Sequence, residues 1–347
     1  MQKITVNASK KYDVIIGNGL LKNLSDYVKS VKNSTRACII TDKNVEALYL
    51  KGVEKELNDG GIKTVSYVID GGEESKSGAV YLSVCEFLAQ NTFTRSDIII
   101  ALGGGVVGDL AGFISATYLR GISFIQIPTT LLACVDSSVG GKTAINLKSG
   151  KNLVGAFYQP SLVLCDIDCL KTLDSVQFAC GMAEVIKYGM IFDKELLELL
   201  NEGIEENLEK VIARCVDLKR IVVESDEHDN GERQLLNFGH TLGHAIEKES
   251  NFAFSHGQAV AMGMDIVVKK AVKAGICDKA VDDVLVLLLK KYGLDEACNI
   301  PTKKLLQTSK VDKKRAGDFI TVVLPQSVGK CCLKKMKMDE WEKFITD

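Results

Sequence analysis

The stretch Asp97–Leu119, DIIIALGGGVVGDLAGFISATYL, decides the fold. After Asp97 it opens with a short apolar run rich in isoleucine, the length and composition of a buried strand. Three glycines, Gly103 to Gly105, lead into a segment with helical spacing. Gly103, Gly105 and Gly108 match G-x-G-x-x-G at a strand-to-helix turn, where bare backbone lets amides approach a pyrophosphate at a helix N-terminus. Two details depart from a standard first dinucleotide loop. The motif follows a late strand, and no acid stands about 20 residues on to hold a ribose. An acid ends an earlier strand instead: Asp42, with Asn44, in RACIITDKN. A nucleotide across the strand ends would turn its adenosine toward Asp42, with Glu73 and Lys76 of GGEESK and Thr129 and Thr130 of IPTT on further loops. The least polar part, Ile98–Leu119, is broken by Asp109 and five glycines and does not read as a membrane span.

Working outward, β-rich runs alternate with helical segments up to about residue 170: ITVNA, YDVIIG, RACIITD, KTVSYVID, DIIIALGG, FIQIPTT and LVLCDID. Alternation of this kind implies parallel pairing. Beyond it the spacing is helical for a long way, with one short β-like piece, DFITVVLP, near the end. The expectation is an α/β dinucleotide-binding N-terminal domain over 1–170 and a mainly α-helical, metal-binding C-terminal domain over 171–347.

The 347 residues, 46% hydrophobic and 25% charged, suit a two-domain globular chain. A formal charge of −2 argues against general binding to nucleic acid or anionic membranes. The start, MQKITVNASKKYDV, has no apolar signal core, and a cytoplasmic setting is expected. Eleven cysteines are scattered without a C-x-x-C pair, as expected for buried, inert thiols in a reducing compartment. A structural zinc at Cys165, Cys169 and Cys180 is the weaker reading.

Three of the four histidines lie in NFGHTLGHAIEKESNFAFSHGQAVAMG: His240, His244 and His256. A spacing of four puts His240 and His244 on one helical face, and His256 opens the next apolar stretch. Imidazole suits zinc and its neighbours, and a catalytic site needs about three protein ligands with one position open. Capping or core packing explains one such histidine more easily than it explains the cluster. In GMAEVIKYG, Glu184 and Lys187 share a helical face, so Glu184 could complete a two-His, one-Glu site, although exposed Glu–Lys pairs are common. The segment CVDSSVGGKTAINLKSGKN carries Asp136, Lys142, Asn146, Lys151 and Asn152 on what reads as a glycine-rich loop. Lysine beside glycine-supplied amides is one way to hold phosphate. Arg120, Lys219, Arg233 and the KVDKKR run add cations.

Taken together, GGGVVGD, IPTTLLACVDSSVGGKTAIN, GKN, GMAEVIKYG, LLNFGHTLGHAIE and SHGQAVAMGM resemble the 3-dehydroquinate synthase family over essentially the full length. The resemblance implies a homodimer, tightly bound NAD, one divalent metal (zinc or cobalt) and a sugar-phosphate substrate. It implies metal ligands Glu184, His240 and His256, with His244 in the active site but off the metal. Asp136, Lys142, Asn152, Lys187, Lys219, Arg233, Asn237 and His244 fall on substrate and catalytic positions, and Arg120 on one that reaches the partner subunit's site. Asp42, Asn44, Glu73, Lys76, Gly104, Gly105, Asp109, Thr129, Thr130, Lys142, Lys151 and Thr172 fall on NAD-side positions. Either Lys313 or Lys314 matches a phosphate-side lysine.

The implied reaction converts 3-deoxy-D-arabino-heptulosonate 7-phosphate to 3-dehydroquinate and phosphate, through transient oxidation, elimination, re-reduction and aldol closure. The chain departs from the family pattern at Asp174, Val176 and Gln177 in KTLDSVQFACG, where proline, arginine and glutamate are usual, and at Cys169, where an aromatic residue often stands. NAD affinity is the property this departure would alter. A metal-dependent polyol or glycerol-phosphate dehydrogenase would lack the lysines of DSSVGGKTAIN and GKN. Another sugar-phosphate cyclase fits less well with Lys219, Arg233 and Asn237.

Overall fold

The computed structural model describes residues 1–313 and 318–347, the side chains of 310–313 aside. Its first unit is built on the strands β1 (Gln2–Asn7), β2 (Lys11–Gly17), β3 (Arg36–Asp42), β4 (Lys63–Ile69), β5 (Ile98–Gly103) and β6 (Ser123–Pro128). A hairpin of β7 (Lys142–Leu147) and β8 (Gly150–Phe157) follows, then β9 (Leu162–Asp166). Seven strands form one sheet in the order β1-β2-β9-β6-β5-β3-β4, parallel except for the β1–β2 pair.

The composition of β5 explains its place. All six of its residues are buried, and their side chains alternate between the sheet's two faces. Ile98, Ile100 and Leu102 pack with Leu24, Val28, Val53 and Leu57; Ile99 and Ala101 pack with Val84, Leu88, Leu110 and Ile114. A strand covered by helices on both faces needs a continuous apolar run, and such burial contributes roughly 1.5–3 kcal/mol per large aliphatic side chain.

From β3 the chain moves outward to β4, then returns to the other side of β3 as β5. The strand order therefore reverses between β3 and β5, and ligands of open α/β sheets bind at the carboxyl ends of strands beside such a point. Asp42 and Gly103 stand at those two ends. This resolves why the glycine motif follows a late strand.

One sequence expectation needs correction and another is borne out but incomplete. CVDSSVGGKTAINLKSGKN is not loop throughout: its latter part enters the β7–β8 hairpin, in which Gly155 packs against the Thr143 carbonyl. The β-like piece DFITVVLP is a true strand, β10 (Phe319–Ser327), but it pairs with an unforeseen lysine-rich strand, β11 (Lys330–Lys337).

The chain divides into two compact units, Met1–Asp174 with Cys215–His228, and Ser175–Arg214 with Asp229–Asp347. Cys215–His228 belongs with the first unit because acids at its far end are tied there. Glu224 accepts from the Asn7 amide at 2.7 Å, and Glu227 from the Ser9 amide at 2.8 Å and the Gln159 amide nitrogen Nε2 at 2.7 Å. The second unit is mainly helical, with helices including Ser175–Phe192, His240–Glu249 and His256–Lys273, and the β10–β11 hairpin. Among the described residues no helix is long and apolar enough to cross a membrane.

Candidate functional site

In the first unit, Gly104 precedes the helix Gly105–Thr117, whose first turn has no side-chain cap. Gly104 offers no side-chain acceptor to that turn, and a helix N-terminus favours an anion through its leading amides and dipole. A Cβ on Gly104 would stand 3.0 Å from the Thr130 methyl, so the loop lies flat against the end of β6. Thr129 is buried there, and its hydroxyl finds no hydrogen-bond partner among the described residues. A buried hydroxyl in that state is what a bound polar ligand would satisfy. Asp42 caps the turn after β3, accepting from the Asn44 and Val45 amides at 2.9 and 3.1 Å. These features fit a dinucleotide.

Lys76 gathers several of the sequence-derived residues. Its buried ammonium donates to Asp109 at 2.7 Å and to the Asn152 side-chain oxygen at 2.6 Å, and lies 3.5 Å from Glu73. Asn146 joins by donating to Glu73 at 2.7 Å and accepting from the Asn152 amide at 2.8 Å. Burial acts to lower the Lys76 pKa, but Asp109 and Glu73 outweigh it and the net shift is upward. Asn152 has a left-handed φ of 55°, a conformation that tends to persist where surroundings over-determine it. Thr172 Oγ1 lies 2.5 Å from the Tyr49 hydroxyl. Lys142 and Lys151 lie toward opposite ends of the β7–β8 hairpin, so that hairpin does not set them side by side. Asp136 pairs with Lys219, whose ammonium also donates to the Asp136 carbonyl at 2.6 Å. Arg120 is exposed, with a left-handed φ of 64°.

In the second unit, three helices bring Glu184, His240 and His256 together, with their ligand atoms within 4.8 Å of one another. Two glycines permit the approach. A Cβ on Gly263 would stand 2.1 Å from the Gly239 carbonyl, where the histidine-bearing helices cross. A Cβ on Gly257 would collide with the backbone of Cys180, on the helix that carries Glu184. Ser255 and Gln258 form a capping box that starts the helix at His256.

Glu184 Oε1 lies 3.7 Å from His240 Nε2 and 3.4 Å from His256 Nε2. Tetrahedral zinc ligands about 2.0–2.1 Å from the ion stand roughly 3.3 Å apart, so this donor set fits such a metal. The other ring nitrogens are also engaged. His240 Nδ1 is 3.1 Å from the Phe238 carbonyl, and His256 Nδ1 is 3.4 Å from Glu247. Burial, then the Lys187 ammonium, pushes the His240 pKa down to about 3, leaving the neutral ring that metals take. For His256 burial acts downward, but Glu184 and Glu247 outweigh it and raise the pKa to about 9.

Lys187 is buried and pairs with Glu184. Arg233, buried, and Asn237, exposed, lie on the turn Glu232–Asn237 that leads to His240. His244 is exposed, its ring centroid 5.5 Å from that of His240. A second trio, His244, Glu247 and His256, shares His256; Glu247 was not singled out in the sequence, where it reads as a surface acid. Lys314 lies outside the described residues, as does the side chain of Lys313. The cysteines stand as thiols, not in disulfides, and among the described residues none joins a group of potential metal ligands.

Comparison with known proteins extends the geometry. The family described as 3-dehydroquinate synthase N-terminal matches residues 66–180, and 3-dehydroquinate synthase C-terminal matches residues 181–315. A 3-dehydroquinate synthase of Clostridium acetobutylicum is 43% identical over 341 residues, 96% of each chain. A crystal structure of 2-deoxy-scyllo-inosose synthase, complexed with carbaglucose-6-phosphate, NAD+ and Co2+, matches with a TM-score of 0.88 at 25% identity over 99% of both chains. An iron-containing alcohol dehydrogenase shares the fold more distantly, at a TM-score of 0.69 and 17% identity over 98% of this chain and 97% of its own. Matches to both halves of one family, together with a relative so similar over nearly the whole length, decide the matter: the chain belongs to the 3-dehydroquinate synthase family.

Proposed function

We propose that the chain converts 3-deoxy-D-arabino-heptulosonate 7-phosphate to 3-dehydroquinate and inorganic phosphate, with NAD and one divalent metal, zinc or cobalt. The observation that carries this is the clustering of Glu184, His240 and His256 beside the buried Lys187. When bound, the metal would supply Lewis acidity at a ring hydroxyl and NAD would supply a reversible hydride acceptor, with no net redox change over the turnover.

The chain's own residues bind and orient. The uncapped turn at Gly104–Gly105, with Asp42, Asn44, Thr129 and Thr130, holds the dinucleotide, and the network of Glu73, Lys76 and Asp109 shapes its loop. Lys187, Arg233 and Lys219 offer cations to the substrate's carboxylate and phosphate, Asp136 fixing Lys219 by its ion pair. Asn152 and Asn237 add polar contacts, and Lys142 and Lys151 add charge near phosphate. His244, exposed on the helical face of His240, is placed to relay protons. In elimination the leaving phosphate's own oxygens accept the carbon-bound proton as the C–O bond breaks. Arg120 serves the partner subunit's site in a homodimer.

The experiment uses substrate deuterated at the carbon to be oxidised. Return of the same hydride predicts product that keeps the label; wash-out into solvent would contradict the transient-oxidation reading.

A further inference from the structure

Glu247 sits where a carboxylate is costly. It is 4% exposed, on the helix His240–Glu249, flanked by the buried Ala245, Ile246 and Leu242. A charge in such a position is expensive unless it is paired. Seven residues after His240, it returns to the same helical face, where its Oε2 lies 3.4 Å from His256 Nδ1. The opposite ring nitrogen of His256 faces Glu184 Oε1 at 3.4 Å. His240 has the same arrangement with a neutral acceptor, the Phe238 carbonyl at 3.1 Å. At Nδ1 the two imidazoles therefore differ: His256 faces a carboxylate there and His240 a carbonyl.

We infer that Glu247 is a positioning residue for the metal. Its carboxylate accepts the Nδ1 proton of His256, fixes the ring so that Nε2 points toward Glu184 and His240, and makes that nitrogen a stronger donor. It also sets a second negative charge one ring's width from the ion. This rests on the metal reading proposed above.

The test is a titration of metal-free protein with zinc against a chelating dye, repeated with cobalt and its d–d absorption. Glu247→Gln keeps an acceptor and loses the charge; Glu247→Leu removes both. The expected result is one equivalent bound by the parent chain, about tenfold weaker binding in Glu247→Gln and up to about 100-fold weaker in Glu247→Leu, with an altered cobalt spectrum. A merely structural role would lower the unfolding midpoint of the metal-free protein and leave the metal Kd and cobalt spectrum of the folded variant unchanged. If Glu247→Leu fails to fold, Glu247→Gln carries the comparison. Parent-level affinity in a folded variant overturns the inference alone. No metal bound by the parent overturns the metal reading and the inference with it. Two equivalents in the parent, with one lost in Glu247→Gln, also overturn it, by making Glu247 a ligand.

Discussion

A Cβ placed on Gly257 would lie 2.4 Å from both the Cα and the carbonyl oxygen of Cys180, whose sulfur accepts from the Gly257 amide at 3.1 Å. The two helix backbones touch here. His256 immediately precedes Gly257, and Glu184 follows Cys180 by one turn, so this contact sets the Glu184–His256 separation. Gly257→Ala is expected to lose about 1–3 kcal/mol of stability, as overpacked cores do, and to weaken metal binding. Denaturant unfolding and a zinc titration measure both. Parent-like zinc affinity in the folded variant would show that the contact does not govern the site.

Lys187 and Glu184 form a buried ion pair on one helix. Lys187→Met removes the ammonium and leaves the buried carboxylate facing the two imidazoles, a loss of one charged partner that is expected to cost up to about 3–5 kcal/mol. A divalent ion would restore the missing positive charge. The gain in stability from saturating zinc is therefore expected to be larger in Lys187→Met than in the parent chain. Equal gains, compared by urea unfolding with and without zinc, would remove Lys187 from the electrostatics of the centre.

How much was legible from sequence differs by element. β5 announced itself because a strand covered on both faces must be apolar throughout. The β7–β8 hairpin did not, since much of β8 is exposed and glycine, lysine and asparagine interrupt its alternation. β11 hid behind its lysines, several of which are exposed. Spacing alone put His240 and His244 on one face, but only packing shows which ring nitrogens meet Glu184. Glu247 lies in a run of charged residues that reads as solvated, and its burial follows from the neighbouring helix His256–Lys273. The ties of Glu224 and Glu227 to Asn7 and Ser9 span more than two hundred positions, beyond the reach of any local pattern.

Lys76 bridges Asp109 and Asn152, beside the proposed dinucleotide loop. Lys76→Met removes the cation from Asp109 and the donor from the strained Asn152. We expect NAD+ affinity to fall by about tenfold, the scale of one lost charge-assisted hydrogen bond. Calorimetric titration of NAD+ is the check, and an unchanged Kd would separate this network from the cofactor.

The thiols offer a probe of packing. Burial pushes the Cys38 thiol up to about 12, and those of Cys169 and Cys331 higher still. Cys134, Cys165, Cys180 and Cys215 are buried as well. Fast reaction of the native protein with a disulfide reagent at mildly alkaline pH is expected at the partly accessible Cys298 and Cys332, and slower reaction at Cys85 and Cys277, whose thiols burial pushes up. Rapid labelling of Cys38 or Cys165 before unfolding would contradict the packing of the central sheet.

The most direct measurement of the central claim follows phosphate and NADH together, with 3-deoxy-D-arabino-heptulosonate 7-phosphate as substrate and NAD+ and zinc supplied. The account predicts steady release of phosphate without accumulation of NADH, abolished by a chelator and by Glu184→Gln. NADH building up on a simple polyol, with no phosphate released from the sugar phosphate, would contradict it and place the chain's chemistry with the dehydrogenases.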